Sequence, residues 1–386
     1  MNEPVGTRFT LDGSPELEAH LSRVCARVRA GVQEIIPAGE LEGILLGGGY
    51  GRGEGGVLRG RAGDEPYNDL EFYVLAKGNA ILAERRYAPE LHELGHRLTP
   101  TAGLEVEFKV LTLAKLRQSA PSMFYYDLVT GHRWLQGDDS LLVGCGVHRD
   151  ASQIPLHEAT RLLMNRSSGL LFSKERLLRP EFGLEESDFV GRNLAKARLA
   201  LGDVVLAAQG LYHWSCRERH SRLEKLTPGM AWPWLKALQD HHSLGLDFKL
   251  YPERSQATRE TLQPQHQELV QLAGQVWLWL ENRRLQSHFA SLRDYALTTD
   301  SLCPETSPLR NRLVRIKAFG ASALLEAGAD RYPREALFRS LCLLLFADVP
   351  PLAADDLKRV QTWLRTGTQE FASLVGAYRQ IWERFN

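Results

Sequence analysis

The chain has 386 residues, and its 47 Lys plus Arg balance 47 Asp plus Glu to a formal net charge of zero. That length predicts two or three structural units needing no disulfide or metal staples, and the charge balance excludes a global field that would draw the whole molecule onto nucleic acid or an anionic membrane. Five scattered cysteines without a CxxC pair, a start (MNEPVGTRFT) lacking the basic and apolar regions of a secretory signal, and a longest apolar run of only 341–347 together predict a cytoplasmic protein with no membrane partner.

Leu17, Leu21, Val24, Val28 and Val32 recur at helical spacing after Gly13-Ser14-Pro15, which predicts a first helix. Short apolar runs at 44–46, 70–75 and 106–111 predict strands, and a helical pattern over 81–98 separates the last two. From Pro155 the pattern changes to long amphipathic helices, at 156–172, 189–212, 265–289 and 333–346. The predicted class is therefore α+β: a small α/β domain over residues 1–150, then an all-helical domain over 151–386 with a division near 250.

Three segments of the first domain carry chemistry. Residues 43–56, GILLGGGYGRGEGG, run from a strand into seven glycines, which suits either a backbone cradle for phosphate oxygens or a plain hairpin connection. Neither a P-loop nor a dinucleotide fingerprint is present. Asp69 and Glu71 flank Leu70 at the start of the next strand, so both carboxylates project from one face while Leu70 and Phe72 enter the core. Two anions so close repel, and a divalent cation between them relieves the repulsion; two solvated acids on an exposed face would give the same pattern. Glu105, Glu107 and Lys109 share a face of the following strand, so either glutamate can complete a carboxylate triad, unless Lys109 neutralises Glu107.

In this order, Gly48-Gly49-Tyr50-Gly51-Arg52-Gly53-Glu54, Asp69-Leu70-Glu71-Phe72 and Glu107 within EVEFKV resemble the nucleotidyltransferase superfamily with a DNA polymerase β-like palm, over about residues 40–145. The resemblance implies an ATP- or other NTP-dependent transferase that moves an NMP to a hydroxyl acceptor and releases pyrophosphate. It implies Mg²⁺ or Mn²⁺ held by Asp69, Glu71 and Glu107, with Glu105 as the alternative third ligand. The phosphates would lie on Gly48 and Gly49, with Arg52 helping, because Gly49 stands where the family usually has serine. The stretch between Gly49 and Asp69 exceeds the family's common spacing and implies an inserted loop over 59–66. On the 189–212 helix, Asn193 and Lys196 lie together beside the apolar stripe, and Lys196 suits either an NTP phosphate or a structural contact with Asp203.

Other readings compete. The same fold could bind NTP, or act in regulation, without catalysis. His92-Glu93-Leu94-Gly95-His96 matches the HExxH pattern of zinc hydrolases, although no third ligand follows at the expected spacing. The acceptor is left open among a small molecule, RNA and a protein. Basic stretches at Arg310, Arg312, Arg315 and Lys317 and at Arg217, Arg219, Arg222 and Lys225 suit phosphates or solvated helix faces, and Trp214, Trp232 and Trp234 suit stacking or core packing.

Overall fold

A computed structural model of the chain describes residues 8–227, 232–326, 328–346 and 352–386; the first residues of the chain and Ala347, used above, lie outside them. Helix α1 (Pro15–Ile35) starts where the sequence predicts, with the Ser14 hydroxyl accepting from the Leu17 amide, Pro15 at its first position and Glu16 and Glu18 in its first turn. Strand β1 (Leu41–Leu46) leads into a single helical turn, α2 (Gly48–Gly51). The expected loop over 59–66 is instead an antiparallel hairpin of β2 (Val57–Gly60) and β3 (Gly63–Pro66). Strand β4 (Asp69–Ala76), helix α3 (Ala80–Ala102) and strand β5 (Glu105–Leu111) follow, then α4 (Leu113–Gln118), α5 (Met123–Thr130) and β6 (Arg133–Gln136).

The sheet has the order β5-β4-β1-β6, antiparallel except for the parallel β4–β5 pair that α3 connects. One face is covered by α1 and α3: Leu70, Phe72, Val74 and Val106 pack with Leu21, Val28, Leu91 and Leu94 in one buried cluster. On the other face a second cluster gathers Leu45, Tyr73 and Leu75 with Leu113, Leu116, Leu128 and Val129. Helix α3 runs through Pro89. A proline inside a helix costs about 3 kcal/mol, and the complete burial of Leu91 and near-complete burial of Tyr87 and Leu94 outweigh it. A Cβ on Gly95 would lie 2.4 Å from the Val106 carbonyl oxygen, so this glycine is what lets α3 lie against β5.

The remaining helices are α6 (Leu156–Leu177), α7 (Leu184–Ala208), α8 (Cys216–Glu224), α9 (Leu235–Leu250), α10 (Arg259–Leu285), α11 (Leu292–Leu297), α12 (Pro308–Phe319), α13 (Arg334–Leu345), α14 (Ala354–Leu364) and α15 (Phe371–Phe385). The α+β class holds, with helix predominating over a small mixed sheet. The domain boundary is more involved than a cut at 150. One unit comprises residues 1–155, 206–227 and 243–253; the other comprises 156–205, 228–242 and 254–386. No helix among the described residues is long and apolar enough to cross a membrane. All five cysteines are free and buried.

Candidate active site in the sheet unit

The parallel register of β4 and β5 pairs Asp69 with Glu105 and Glu71 with Glu107, so all four carboxylates belong to the sheet face opposite α1 and α3. They occupy the start of that face, before Tyr73 and Leu75 turn it into core. Asp69, Glu71 and Glu107 are half-buried and Glu105 is exposed, which favours Glu107 as the third member. Burial raises the Glu107 carboxyl, and the charge of Asp69 raises it further, against the lowering effect of Lys109. Lys109 itself lies 5.7 Å from the Tyr73 ring and 5.9 Å from that of Phe124, over an aromatic pair.

Glu71 accepts a hydrogen bond from the Tyr73 hydroxyl at 3.0 Å, and Asp69 accepts one from the Asn68 side-chain amide. Asn68 stands in the left-handed region (φ 83°), which asparagine tolerates better than most residues and which turns the chain from the hairpin into β4. Among the described residues, no three His, Cys, Asp or Glu side chains are drawn together into a finished metal-holding group. The donors nevertheless suit a hard dication: they are mutually repelling carboxylate oxygens on neighbouring strands.

The glycine turn is built onto the same strand. The Gly47 amide donates to the Glu71 carbonyl at 2.9 Å, and a Cβ on Gly48, whose φ is +60°, would stand 3.3 Å from Glu71 Oε2. The turn therefore presents bare backbone beside the Glu71 carboxylate. A Cβ on Gly49 would stand 3.0 Å from the Glu54 carbonyl oxygen and 3.2 Å from Lys249 Nζ, so the amine of Lys249 borders the glycine turn. Lys249 comes from the end of α9, within the 243–253 segment of this unit. Phe248 packs edge-on against Tyr67, and Tyr251 donates to Asp12, so the segment is anchored on both sides of the lysine. Burial lowers the Lys249 pKa, as does the nearby Arg52 charge, whereas Cys216, Asp69 and Glu71 act to raise it.

Comparison with known proteins finds no matching family model, curated protein or solved structure. The reading of the site thus rests on its geometry. The Arg52 guanidinium donates to Asp127 at 3.2 Å, which ties the glycine turn to α5. Asn193 and Lys196 belong to the helical unit. The Asn193 amide donates to the Phe189 carbonyl within α7, and its Oδ1 packs against Gly169 of α6. Lys196 is exposed on α7. His92 and His96 are exposed on α3 with their Nε2 atoms 2.9 Å apart, and the glycine of HELGH serves the contact with β5. Trp214 is buried, while Trp232 and Trp234 stack on each other and meet Trp279 edge-on, so packing accounts for all three. Arg219 is buried and donates to the His213 and Trp214 carbonyls, and Arg222 pairs with Glu218, while Arg217 and Lys225 of that stretch are exposed.

Sequence reasoning also missed Glu54. Its buried carboxylate accepts from the Ser215 hydroxyl at 2.6 Å and the Cys216 amide at 2.8 Å, fixing the start of α8 to the glycine turn. Burial alone would raise this carboxyl, but those hydrogen bonds and the Arg52 charge hold it below its usual value. A carboxyl depressed on folding contributes stability above its unfolded pKa and loses it as pH falls through the folded value. Glu54→Gln should therefore cost about 2 kcal/mol at neutral pH and flatten the acid side of the stability profile. Urea unfolding across pH 3–7 measures both, and parallel profiles for the two proteins would contradict the assignment.

Proposed function

We propose that this chain is a nucleotidyltransferase of the DNA polymerase β-like type, transferring an NMP from an NTP to a hydroxyl acceptor. The observation that carries the reading is the meeting of Glu71, the Gly48–Gly49 backbone and the Lys249 amine beside Asp69 and Glu107. In the reaction the acceptor oxygen bonds to the α-phosphorus, the α–β anhydride bond breaks, pyrophosphate leaves and the hydroxyl proton is lost. Asp69, Glu71 and Glu107 would hold Mg²⁺ or Mn²⁺, which would supply charge neutralisation on the phosphate oxygens.

The protein's own groups divide the remaining work. The Lys249 ammonium is set against Gly49, where it can contact triphosphate oxygens in place of the serine hydroxyl that the related palms use. Its lowered pKa reflects the cost of burying that charge, and an anionic phosphate offsets the cost. Glu107, raised by burial and by Asp69 while no cation stands between the strands, is the carboxylate that a dication relieves most, and the acceptor's proton passes to solvent.

The test is incubation with each α-labelled NTP, Mg²⁺ and fractionated cell extract, following pyrophosphate release and the labelled product. Transfer of label supports the reading; nucleotide retained without pyrophosphate release from any fraction points to a binding module instead. Lys249→Met should lower kcat/KM by about a hundredfold. Because activity requires Lys249 protonated, the pH profile should fall on its alkaline side below the ordinary lysine range. Lys249→Arg should push the alkaline limb outward, and an unmoved limb would exclude Lys249 as its source.

A further inference from the structure

The helical unit contains a cavity of about 1040 Å³ walled by the turn at 297–299 and by residues of α12, α13 and α14. Ligand sites for nucleotide-sized molecules have volumes of roughly 300–1,000 Å³. The charge on its walls is one-sided. Glu326 is shared between Arg315 at 2.9 Å and Arg365 at 2.6 Å. Glu335 lies between Arg331 at 3.8 Å and Arg339 at 3.6 Å, with its other oxygen accepting from Ser301 and Cys303. Lys358 and Arg359, exposed on α14, have no carboxylate at ion-pair distance among the described residues. Each acid is thus outnumbered two to one, and two further cations have none.

Such an arrangement wants more negative charge than the protein supplies. Burial and the neighbouring Arg331 charge both lower the pKa of Arg339, which shows how crowded the cations are. Arg315, in the same wall, has a buried Nε without an acceptor among the described residues. A concave, low-dielectric surface focuses this excess, and guanidinium groups match phosphate oxygens with paired donors. Flat surfaces are present too: Arg365 lies 4.7 Å above the Phe319 ring, and Tyr332 and Trp363 also line the space.

We propose that this cavity binds a small ligand bearing a di- or triphosphate group, at a site separate from the carboxylates of the sheet unit. The proposal stands on the cavity and its charge, independently of the transferase reading. Calorimetric titration of the full chain in EDTA, with inorganic pyrophosphate in one arm and ADP in the other, tests it on the parent protein, on Lys358→Ala/Arg359→Ala and on Asp69→Asn/Glu71→Gln. The exposed Lys358 and Arg359 can be replaced without disturbing the core. Saturable binding that weakens about tenfold or more in the first variant and is unchanged in the second supports the site. Tighter binding of ADP than of pyrophosphate assigns the phosphates to a nucleotide, and equal binding assigns them to the free anion. The proposal is overturned if neither probe binds saturably, if Lys358→Ala/Arg359→Ala leaves affinity unchanged, or if affinity follows Asp69 and Glu71.

Discussion

Replacing Asp69 by Asn together with Glu71 by Gln is expected to lower NMP transfer by about a thousandfold or more while leaving the fold intact. The amides keep the volumes and the hydrogen bonds from Asn68 and Tyr73 within reach, but they remove the charges that the dication and the transition state require. Stability should stay level or rise, because Glu107 then loses the two neighbouring charges that hold its carboxyl up. Single-turnover assays with thermal melts separate the two effects. Undiminished transfer by a folded double variant would remove these carboxylates from the chemistry, and collapse of the fold would make them structural.

The largest effect on stability is expected at Gly51. A Cβ there would stand 2.1 Å from the Leu46 carbonyl oxygen, a backbone atom of β1 that cannot swing aside. Gly51→Ala must therefore shift either the turn or the strand, at a cost of about 3 kcal/mol. The transition of the sheet unit should fall by roughly 10 °C. Gly39, where an added Cβ would meet nothing within 4 Å, is the matched control, and Gly39→Ala should be close to neutral. Equal melting of the two variants would mean that the turn yields without strain.

The parts legible in the sequence are those that short-range periodicity encodes. Alternation in Asp69-Leu70-Glu71-Phe72 placed the two acids together because a strand has a period of two, and the same rule assigned Glu107 to the matching face of β5. Helices α6, α7, α10 and α13 announced themselves by apolar spacing, whereas α11, of six residues, is too short for that signal. Lys249 was not legible. It sits in DFKLYPE, a segment with no motif, and only tertiary folding brings it beside Gly49, two hundred residues earlier in the chain. The Arg52–Asp127 pair was not legible for a related reason: its two members stand far apart in sequence. The β2–β3 hairpin passed for a loop because two four-residue strands around Gly60-Arg61-Ala62-Gly63 give almost no alternation to detect.

The Glu54 link to Ser215 and Cys216, with Lys249 beyond it, has a consequence for biogenesis. Strands and helices up to residue 155 can pair as they leave the ribosome, but the glycine turn lacks its braces until about a hundred further residues have been translated. Throughout that interval the nascent chain carries an incomplete pocket, and a product truncated near residue 155 would emerge with Glu54 bare and without the cation beside Gly49.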